Sequence, residues 1–515
     1  MQLITGRLII LFILSAITAQ AQHHVQSAKE PTGVVDLGEI RFPTSGPADA
    51  QAHFIRGVLL LHSFEFERAR RAFIEARTAA PKFAMAYWGE AMTHNQAIWG
   101  EQDRGAALAA LARLGATPAE RQAAAPTERE KLYLAAVELL YADGDQKQVY
   151  AAYSNAMGEL ARRFPDDLEA RAFYALSLLG LTGDVRDTEN YMRAAAVAEE
   201  VFEANRKHPG ALHYLIHAYD DPAHAPLGLR AARLYGTVAR GASHAQHMPS
   251  HIFFALGMWD DSIAANTASM KTARDAGTGG YHPLHWLEHS YLQTGRDDEA
   301  AKLVAIVEAD TQKNPSAYAR THLAMTRATW LVETRGSGPA TMLQSVDSTG
   351  INSVDVFAGH DMAIGLASIQ RKDIPAARLA LQSLRGRIAA GKTVTKSTGD
   401  IMSRYSTVSQ SDLDIASVTE QILDAAIKYA EGEHDIAIRM ITAASEAEDK
   451  LVFEYGPPAT VKPAWEAAGE LLLASGRKIE AADAFRRVLK RYPNRKLSNE
   501  GLKVSSLITP KSVGK

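Results

Sequence analysis

Histidine is the residue type in this chain whose number and spacing could support chemistry. Ten of the 18 histidines lie between His208 and His289. Within that window three pairs have i,i+4 spacing and recur at intervals of 34 and 38 residues: His213 and His217, His247 and His251, and His285 and His289. Two side chains four positions apart lie on one face of a helix. Each pair can therefore present two imidazole nitrogens to one ion or one ligand.

A third histidine precedes two of these pairs by three positions, His244 before His247 and His282 before His285. Neutral imidazole binds Zn, Cu, Ni and Fe. The nearby Asp220 can add a carboxylate ligand, or it can orient an imidazole by accepting a hydrogen bond from the ring nitrogen that does not bind the metal. Asp221 can do the same. The spacing predicts a site for a divalent transition metal such as zinc, with these candidate ligands: His213, His217, His247, His251, His285 and His289.

Two other interpretations use the same histidines. The side chains can line a groove that contacts an acidic or aromatic ligand without metal, or they can satisfy hydrogen bonds in the core. The predicted ligand-binding set contains the six metal candidates together with His244, His282, Asp220, Asp221, Trp88 and Asn95. The sequence leaves all three interpretations open.

One pattern in the window matches an enzyme motif. Residues 285–289 read His-Trp-Leu-Glu-His. This is the inverted zinc-protease motif, in which the two histidines bind zinc and Glu288 acts as a base for a bound water. Such a short pattern arises easily by chance in a His-rich stretch, so we expect no catalytic residues. A metal-dependent hydrolase remains the alternative to a binding protein.

The composition excludes several classes of protein. Of the 515 residues 46% are hydrophobic, and Ala-rich runs that favour helices dominate, so an all-α fold is expected. The 56 basic and 59 acidic residues give a net charge of −3, which argues against a basic nucleic-acid-binding surface. There is no cysteine, so thiolate nucleophiles, Cys-ligated zinc and iron–sulfur clusters are excluded.

The elements that carry the histidines belong to a repeat. One unit has Gly57, Leu60, Ala69, Phe73, Ala76 and Pro81, and another has Trp465, Gly469, Leu472, Ala481, Phe485, Val488 and Pro493. Small residues stand where two helices touch, a large apolar residue packs from the second helix, and proline ends that helix. Weaker copies surround the turns at Gly257, Gly295 and Gly432.

This pattern resembles the tetratricopeptide repeat (TPR). The resemblance implies a right-handed α-solenoid of about eight to ten helix–turn–helix units around a concave groove. In such repeats the second, fifth and ninth positions of the first helix face the groove. By resemblance, His244 and His282 take the second position, and the i,i+4 pairs take the fifth and ninth. Imidazoles from neighbouring units are then expected to converge.

The N-terminus resembles a secretory signal peptide. Arg7 precedes an apolar run from Leu8 to Ile17, and Ala19-Gln20-Ala21 forms a cleavage pattern. Without a cysteine for lipid attachment we expect a free periplasmic or secreted protein with no membrane span after cleavage. The predicted organisation is a signal peptide (1–21), a linker (22–47), N-terminal and central repeats with the His-rich groove (48–334), a linker (335–352), C-terminal repeats with a loop at 386–410 (353–500) and a tail (501–515).

Three stretches are similar to a family of exported bacterial TPR proteins. They are Phe42 to Pro43 with Gly57 to Phe66, Ala84 to Trp99, and His244 to Asn266, which contains HMPSHIF and LGMW. The resemblance implies the fold and the export, and it supplies no activity. We expect an exported binding or scaffold protein that recognises a protein or small ligand through its groove. The alternative is a metal-binding protein or metal-dependent hydrolase that uses the histidine ladder.

Overall fold

The computed structural model describes residues 36–182, 186–277, 280–393, 401–402, 408–452 and 456–506. The predicted signal peptide and most of the first linker lie outside these ranges. Helices account for most of the described residues. Their bounds are α1 (Ala48–His62), α2 (Phe66–Ala79), α3 (Ala84–Met92), α4 (Arg104–Ala112), α5 (Pro118–Ala124), α6 (Glu128–Leu140), α7 (Gln146–Arg163), α8 (Leu168–Leu179), α9 (Thr188–Ala204), α10 (Pro209–Ala218), α11 (Ala225–Val238), α12 (Ser243–His247), α13 (Pro249–Ala255), α14 (Trp259–Asp275), α15 (Tyr281–Gln293), α16 (Asp297–Lys313), α17 (Ala317–Glu333), α18 (Val354–Gln370), α19 (Ile374–Gly391), α20 (Gln410–Ala430), α21 (His434–Glu448), α22 (Ala464–Ala474), α23 (Lys478–Arg491) and α24 (Lys496–Ser506).

Successive helices pack against each other along the chain, as α1 does on α2, α8 on α9, α18 on α19 and α22 on α23. A helix pair cannot bury its apolar face alone, so stacked pairs share a continuous core. The all-α solenoid predicted from the sequence is confirmed. A small antiparallel sheet in the order β1-β2-β3 joins β1 (Asn95–Gln96), β2 (Glu101–Asp103) and β3 (Ile401–Met402).

Glycines at the helix contacts explain the repeat. The ring of Phe73 in α2 lies between Gly57 of α1 and Gly89 of α3, where an added Cβ would come within 2.6 Å and 2.3 Å of the ring. Phe485 in α23 lies in the same way between Gly469 of α22 and Gly501 of α24. In both units the phenyl ring thus occupies the space that a Cβ on the glycine of the preceding helix, and of the following helix, would need.

The histidine window spans three units. Helices α10, α12 with α13, and α15 carry eight of the ten histidines, and α11, α14 and α16 follow them as partners. Pro249 occupies the first turn of α13, where its missing N–H breaks no helical hydrogen bond. The backbone at Met248 keeps helical angles (φ −53°, ψ −36°), so the phase of the side chains continues from α12 into α13.

The C-terminal unit contacts the central units directly. The indole N–H of Trp259 donates to the carbonyl oxygen of Asn494 (3.1 Å), and the Asn494 amide donates to the carbonyl oxygen of Gly257 (3.2 Å). At Gly257, with φ of 65°, a Cβ would lie 2.2 Å from the Pro493 oxygen, which explains the glycine. This contact joins the C-terminal unit to the turn between α13 and α14.

Two loop boundaries differ from the sequence analysis. Helix α24 continues to Ser506, where an irregular tail was expected from residue 501, because Gly501 packs tightly under Phe485. Helix α19 runs to Gly391, so the loop expected from residue 386 begins later; residues 394–400 and 403–407 of that loop lie outside the described ranges. Among the described helices, none combines the length and apolarity that a membrane span requires.

Candidate metal centre

The first cluster, called the first triad here, consists of His213 and His217 of α10 and His244 of α12. One ring nitrogen of each lies within 4.8 Å of the others. The Nε2 atom of His213 lies 3.1 Å from that of His217 and 3.2 Å from that of His244. The triad therefore combines the i,i+4 pair of one unit with the first histidine of the next unit.

The second triad repeats this construction one unit later. His247 and His251 provide the i,i+4 pair, and His282 comes from the first turn of α15. The Nε2 atoms of His247 and His251 are 3.2 Å apart. The 34-residue interval between the two i,i+4 pairs thus corresponds to two equivalent sites in the solenoid.

The two triads are neighbours. Ring centroids are 5.7 Å apart for His217 and His251 and 6.1 Å apart for His244 and His247, pairs that bridge the triads. The spacing within a triad is only slightly shorter, for example 4.8 Å between His213 and His217. The six rings form one contiguous group, so ions bound to the two triads would be adjacent.

Hydrogen bonds orient two rings of the second triad. The Nδ1 atom of His251 faces Oδ2 of Asp220 at 2.5 Å, and Nδ1 of His247 faces Oδ1 of Asn266 at 2.6 Å. The Asn266 amide nitrogen donates to the Ser262 carbonyl (2.9 Å), which turns the amide oxygen towards His247. Both Nδ1 atoms are thus placed to donate to oxygen acceptors, and the Nε2 atoms of the two rings face each other.

The first triad is oriented in the same manner. The Nδ1 atom of His213 donates to the carbonyl oxygen of His62 at 2.6 Å, so its Nε2 atom has only a lone pair. That single lone pair faces the Nε2 atoms of both His217 and His244. A neutral ring can accept from one of these neighbours at most, and a cation between the three nitrogens would satisfy them all.

The cation between the imidazole nitrogens could be a proton, but the buried surroundings of the rings disfavour an added proton. Burial, helped by the neighbouring His251, lowers the pKa of His247 to about 3. Burial and nearby imidazoles also lower the pKa values of His213, His217, His244 and His282 well below the ordinary value. These five rings are neutral near pH 7, which is the state that binds metal.

The nitrogen spacing fits a bound ion. For imidazole nitrogens 2.0–2.1 Å from a tetrahedral ion, the N···N separation is about 3.3 Å. The three measured Nε2 separations are 3.1, 3.2 and 3.2 Å. The Nδ1 atoms of His213, His247 and His251 contact the His62 carbonyl, Asn266 and Asp220. Hydrogen bonds of this kind orient metal-binding histidines.

A third cluster provides an internal contrast. His62, Glu169 and His208 are all buried, and Glu169 accepts from Nε2 of His62 (2.7 Å) and of His208 (3.1 Å). The Nδ1 atoms accept from the Tyr214 hydroxyl (2.8 Å) and from the Ala211 N–H (3.1 Å). Burial raises the pKa of Glu169, but His208 and His62 outweigh it and hold that pKa at about 2. Every donor here meets an acceptor, so this cluster needs no ion.

Aromatic rings cover both triads. The ring of Phe64 lies 4.2 Å from that of His213, and the ring of Trp286 lies 4.4 Å from that of His251 (centroid distances). Trp99 reaches His244 at 6.1 Å. An apolar cover of this kind limits solvent and strengthens electrostatic interactions at a metal site.

The structure places the third predicted pair apart from both triads. Nε2 of His285 lies 2.9 Å from the Thr329 hydroxyl, and the ring of His289 packs against Phe254 and Trp259. Thr329 belongs to α17, the first helix of the next unit, and among the described residues the pair joins no cluster of three ligand atoms. Glu288 is fully buried, and neither of its carboxyl oxygens has a hydrogen-bond partner within the described chain. The zinc-protease arrangement predicted by the motif is therefore absent from these described residues.

The remaining predicted residues have other surroundings. Trp88 was expected in the groove, but it is fully buried between Phe42, Tyr133 and Phe173, because its helix α3 is enclosed by α2 and α6. Asn95 is also buried and accepts from the Tyr150 hydroxyl (2.7 Å). Asp221 bonds Arg186 (2.9 Å) and His224, away from the triads, whereas its neighbour Asp220 supports His251.

Several residues of the site escaped the sequence analysis. His62 and Phe64 come from the end of α1 and the following turn, and Asn266 comes from α14. His62 and Phe64 lie far along the chain from the rings that they contact, and Asn266 lies in a partner helix. No spacing rule within the window points to them. The packing of α1 on α10 brings His62 and Phe64 to the site, and the packing of α14 on α12 brings Asn266.

Comparisons with known proteins leave the function open. No protein family and no characterised protein matches the chain by sequence. Similar solved structures include the APC/C hetero-tetramer Cut9–Hcn1 (10% identity, 90% of this chain and 78% of that chain, TM-score 0.37) and the human IFIT1 dimer with m7Gppp-AAAA (12%, 92% and 92%, 0.36). The P58(IPK) TPR domain is similar at 13% identity over 89% of this chain and 97% of that chain, with a TM-score of 0.23. The chain thus has TPR-like neighbours at low similarity, and its function has to be inferred from its own residues.

Proposed function

We propose that this chain is a metal-binding helical-repeat protein that holds two transition-metal ions side by side, one in each histidine triad. The observation that carries the proposal is the clustering of three imidazole nitrogens in each triad, within 4.8 Å of one another. In the second triad the Nε2 atoms of His247 and His251 lie 3.2 Å apart while both Nδ1 atoms face acceptors. An ion bound between such nitrogens is held by imidazoles that are already oriented by hydrogen bonds.

The donor set favours zinc or copper. Each triad offers three imidazoles, and no carboxylate joins either group of ligand atoms among the described residues. Imidazole suits Zn and Cu, whereas Mg, Ca and Mn prefer carboxylate and carbonyl oxygen. Three protein ligands leave a fourth tetrahedral position open, as in catalytic and substrate-binding zinc sites. This arrangement supports ligand binding at the ions.

The groove-binding role expected from the sequence fits this proposal. An open coordination position in a solenoid lets the protein recognise a small ligand, or a side chain of a protein partner, through the metal. We also propose that the protein is exported, because the N-terminal pattern of Arg7, the apolar run and the small-residue cleavage site is that of a signal peptide.

Metal content and stoichiometry test the proposal. Protein purified without a His tag is stripped with a chelator and titrated with Zn²⁺ and, under reducing anaerobic conditions, with Cu⁺. We expect two ions per chain for the wild type, and one for His213→Ala and for His247→Ala. His434, an exposed histidine stacked on Tyr429, supplies the control variant His434→Ala, which should retain two.

Folding has to be checked separately, because the triad histidines are buried. Circular dichroism and thermal unfolding of each stripped variant show whether the solenoid persists. A bound ion should also stabilise the wild type, by about 2.7 kcal/mol when free metal is at 100 times Kd. A folded, stripped wild type that binds neither ion at micromolar concentration would overturn the proposal.

A further inference from the structure

The two triads have matching donors and lie next to each other. Each offers three imidazole nitrogens that lie within 4.8 Å of one another. The ring centroids of His217 and His251, which belong to different triads, are 5.7 Å apart, whereas those of His251 and His282, within one triad, are 6.3 Å apart. Rings of different triads are thus as close as rings of the same triad. Two ions held here would have the same kind of ligands and would be neighbours.

Equal neighbouring ions suit a reaction that takes one electron from each ion. Imidazole is a ligand for copper, which cycles between Cu⁺ and Cu²⁺, whereas Zn²⁺ has no redox chemistry. Two Cu⁺ ions together supply the two electrons that convert O₂ to peroxide. Each ion loses one electron and forms one Cu–O bond, and the O–O double bond becomes a single bond. No proton is taken up, and the reverse step releases O₂.

The surroundings of the triads protect a bound peroxide from protons. The ring of Phe64 stacks on those of His217 and His244, with centroids 6.0 and 5.6 Å apart. His213 and His247 are fully buried, and burial lowers the pKa of His247 to about 3, so these neutral rings carry no acidic proton near pH 7. A site that excludes water limits proton leakage to a reactive intermediate. Peroxide would therefore be kept from leaving as hydrogen peroxide.

A small cavity of about 20 Å³ borders Phe64, the ring that covers the first triad. Its wall is largely apolar and includes Leu61 and Leu176, and two of its polar side chains bond each other, the Tyr150 hydroxyl donating to Asn95 (2.7 Å). A cavity needs about 10–15 Å³ to hold one water, and apolar cavities stay dry. The cavity therefore suits a small apolar gas such as O₂, which only the ring of Phe64 would separate from the first triad.

We propose that the two triads, loaded with Cu⁺, bind one O₂ molecule between the ions and hold it as peroxide. The inference rests on the proposed function, because both ions have to be present. It goes beyond that function by selecting copper, by naming dioxygen as the ligand, and by assigning the open coordination positions of both ions to the same molecule.

Oxygen uptake by the full chain tests the inference. The stripped wild type is loaded with two Cu⁺ ions in the absence of oxygen, and O₂ is then admitted in an oxygen-electrode cell. We expect uptake of one O₂ per two copper ions and release of O₂ when the gas phase is exchanged for argon. Release of hydrogen peroxide instead of O₂ would overturn the inference.

Electron paramagnetic resonance separates a shared O₂ from two ions that react independently. Two Cu²⁺ ions bridged by one peroxide couple their unpaired electrons and lose most of the ordinary Cu²⁺ signal. Oxygenated protein that shows the full signal of isolated Cu²⁺ would overturn the inference, because its ions would not share a ligand.

Variants that hold one ion test whether both triads are needed. His213→Ala and His247→Ala should lose the reversible uptake of O₂, because one Cu⁺ supplies only one electron. His434→Ala, which removes an exposed histidine, is the control and should take up O₂ as the wild type does. Full reversible uptake by either one-ion variant would overturn the inference.

A larger side chain in the cavity tests the route of O₂. Leu176→Phe fills part of the cavity and should slow oxygen uptake in stopped-flow measurements without changing the amount taken up. Leu379→Phe makes the same change at an exposed position of α19 and should leave the rate unchanged. Equal rates in the two variants would remove the cavity as the route.

The measurements also separate this inference from the proposed function. A protein that binds two Cu⁺ ions and takes up no O₂ would overturn the inference and leave the metal-binding function standing. A folded protein that binds neither ion would overturn both.

Discussion

Gly210 lies directly against the imidazole ring of His62, and a Cβ on Gly210 would sit 2.4 Å from Nδ1 of that ring. His62 ends α1 and Gly210 lies in the first turn of α10, so this contact joins two units that are distant in the chain. The backbone carbonyl of the same His62 accepts from Nδ1 of His213. The missing side chain at position 210 thus allows α1 to approach and orient a ring of the first triad.

Gly210→Ala should therefore lower the free energy of unfolding, by about 1–3 kcal/mol, because the Cβ overpacks a buried ring. The variant should also weaken metal binding at the first triad and leave the second triad unchanged. Urea denaturation of the stripped protein measures the first effect, and metal titration measures the second.

Gly386→Ala is the matched control. Gly386 lies on the exposed side of α19, and nothing comes within 4 Å of an added Cβ. Alanine there should stabilise the protein by about 0.5–1 kcal/mol through helix propensity. If both alanine variants stabilise the protein, the packing of His62 against Gly210 is not as described.

Asp220→Ala should weaken metal binding at the second triad by about 10- to 100-fold, the usual effect of removing a carboxylate behind a metal-binding histidine. The reason is that Asp220 holds Nδ1 of His251 at 2.5 Å and so fixes which ring nitrogen faces the site. Competition with a metal indicator of known affinity measures the change.

The adjacent aspartate tests whether this effect is specific. Asp221 pairs with Arg186 and His224 and contacts no ring of the second triad; Arg186 also donates to the His217 carbonyl of the first triad. Asp221→Ala should reduce the melting temperature through loss of that buried ion pair, with the metal affinity of the second triad unchanged. Similar losses of affinity in both variants would point to general destabilisation instead.

The fold was predictable because its signals are local and repeated. The spacing from Gly57 to Phe73 reports a contact within one helix pair, and the i,i+4 spacing of His247 and His251 reports one helix face. The same periodicity placed His244 and His282 at the start of each first helix. These are the features that a sequence records directly.

The composition of each triad was harder to predict, because it depends on the register between units. Periodicity alone treats His285 and His289 as equivalent to the earlier pairs. The structure separates them, because Nε2 of His285 contacts the Thr329 hydroxyl of α17 and the pair joins no group of three ligand atoms among the described residues. The tautomers of His213 and His247 depend on His62 and Asn266, whose positions follow from long-range packing.

Phe64 covers the first triad from a left-handed backbone conformation, with φ of 54° in the turn after α1. Glycine adopts this conformation freely, whereas residues with a Cβ lose about 1–2 kcal/mol. Phe64→Gly and Phe64→Ala both remove the ring from His213, but only glycine also relieves the backbone. We expect Phe64→Gly to be more stable than Phe64→Ala by about 1 kcal/mol in urea denaturation. Equal stabilities would show that the backbone there is relaxed.

Glu288 should make the protein less stable as the pH rises. Burial, with the nearby Glu333 carboxylate, raises the pKa of Glu288 well above the unfolded value of 4.5, so the folded state keeps a proton that the unfolded state releases. A raised folded-state pKa gives stability that is complete below pH 4.5 and is lost as the pH increases, at about 1.4 kcal/mol per pH unit. Glu288→Gln keeps the shape and removes the titration. The variant should match the wild type near pH 4 and exceed it in free energy of unfolding at pH 7, measured by urea denaturation at both values. A variant that is less stable than the wild type at pH 7 would mean that Glu288 is ionised and stabilised by a partner in the folded protein.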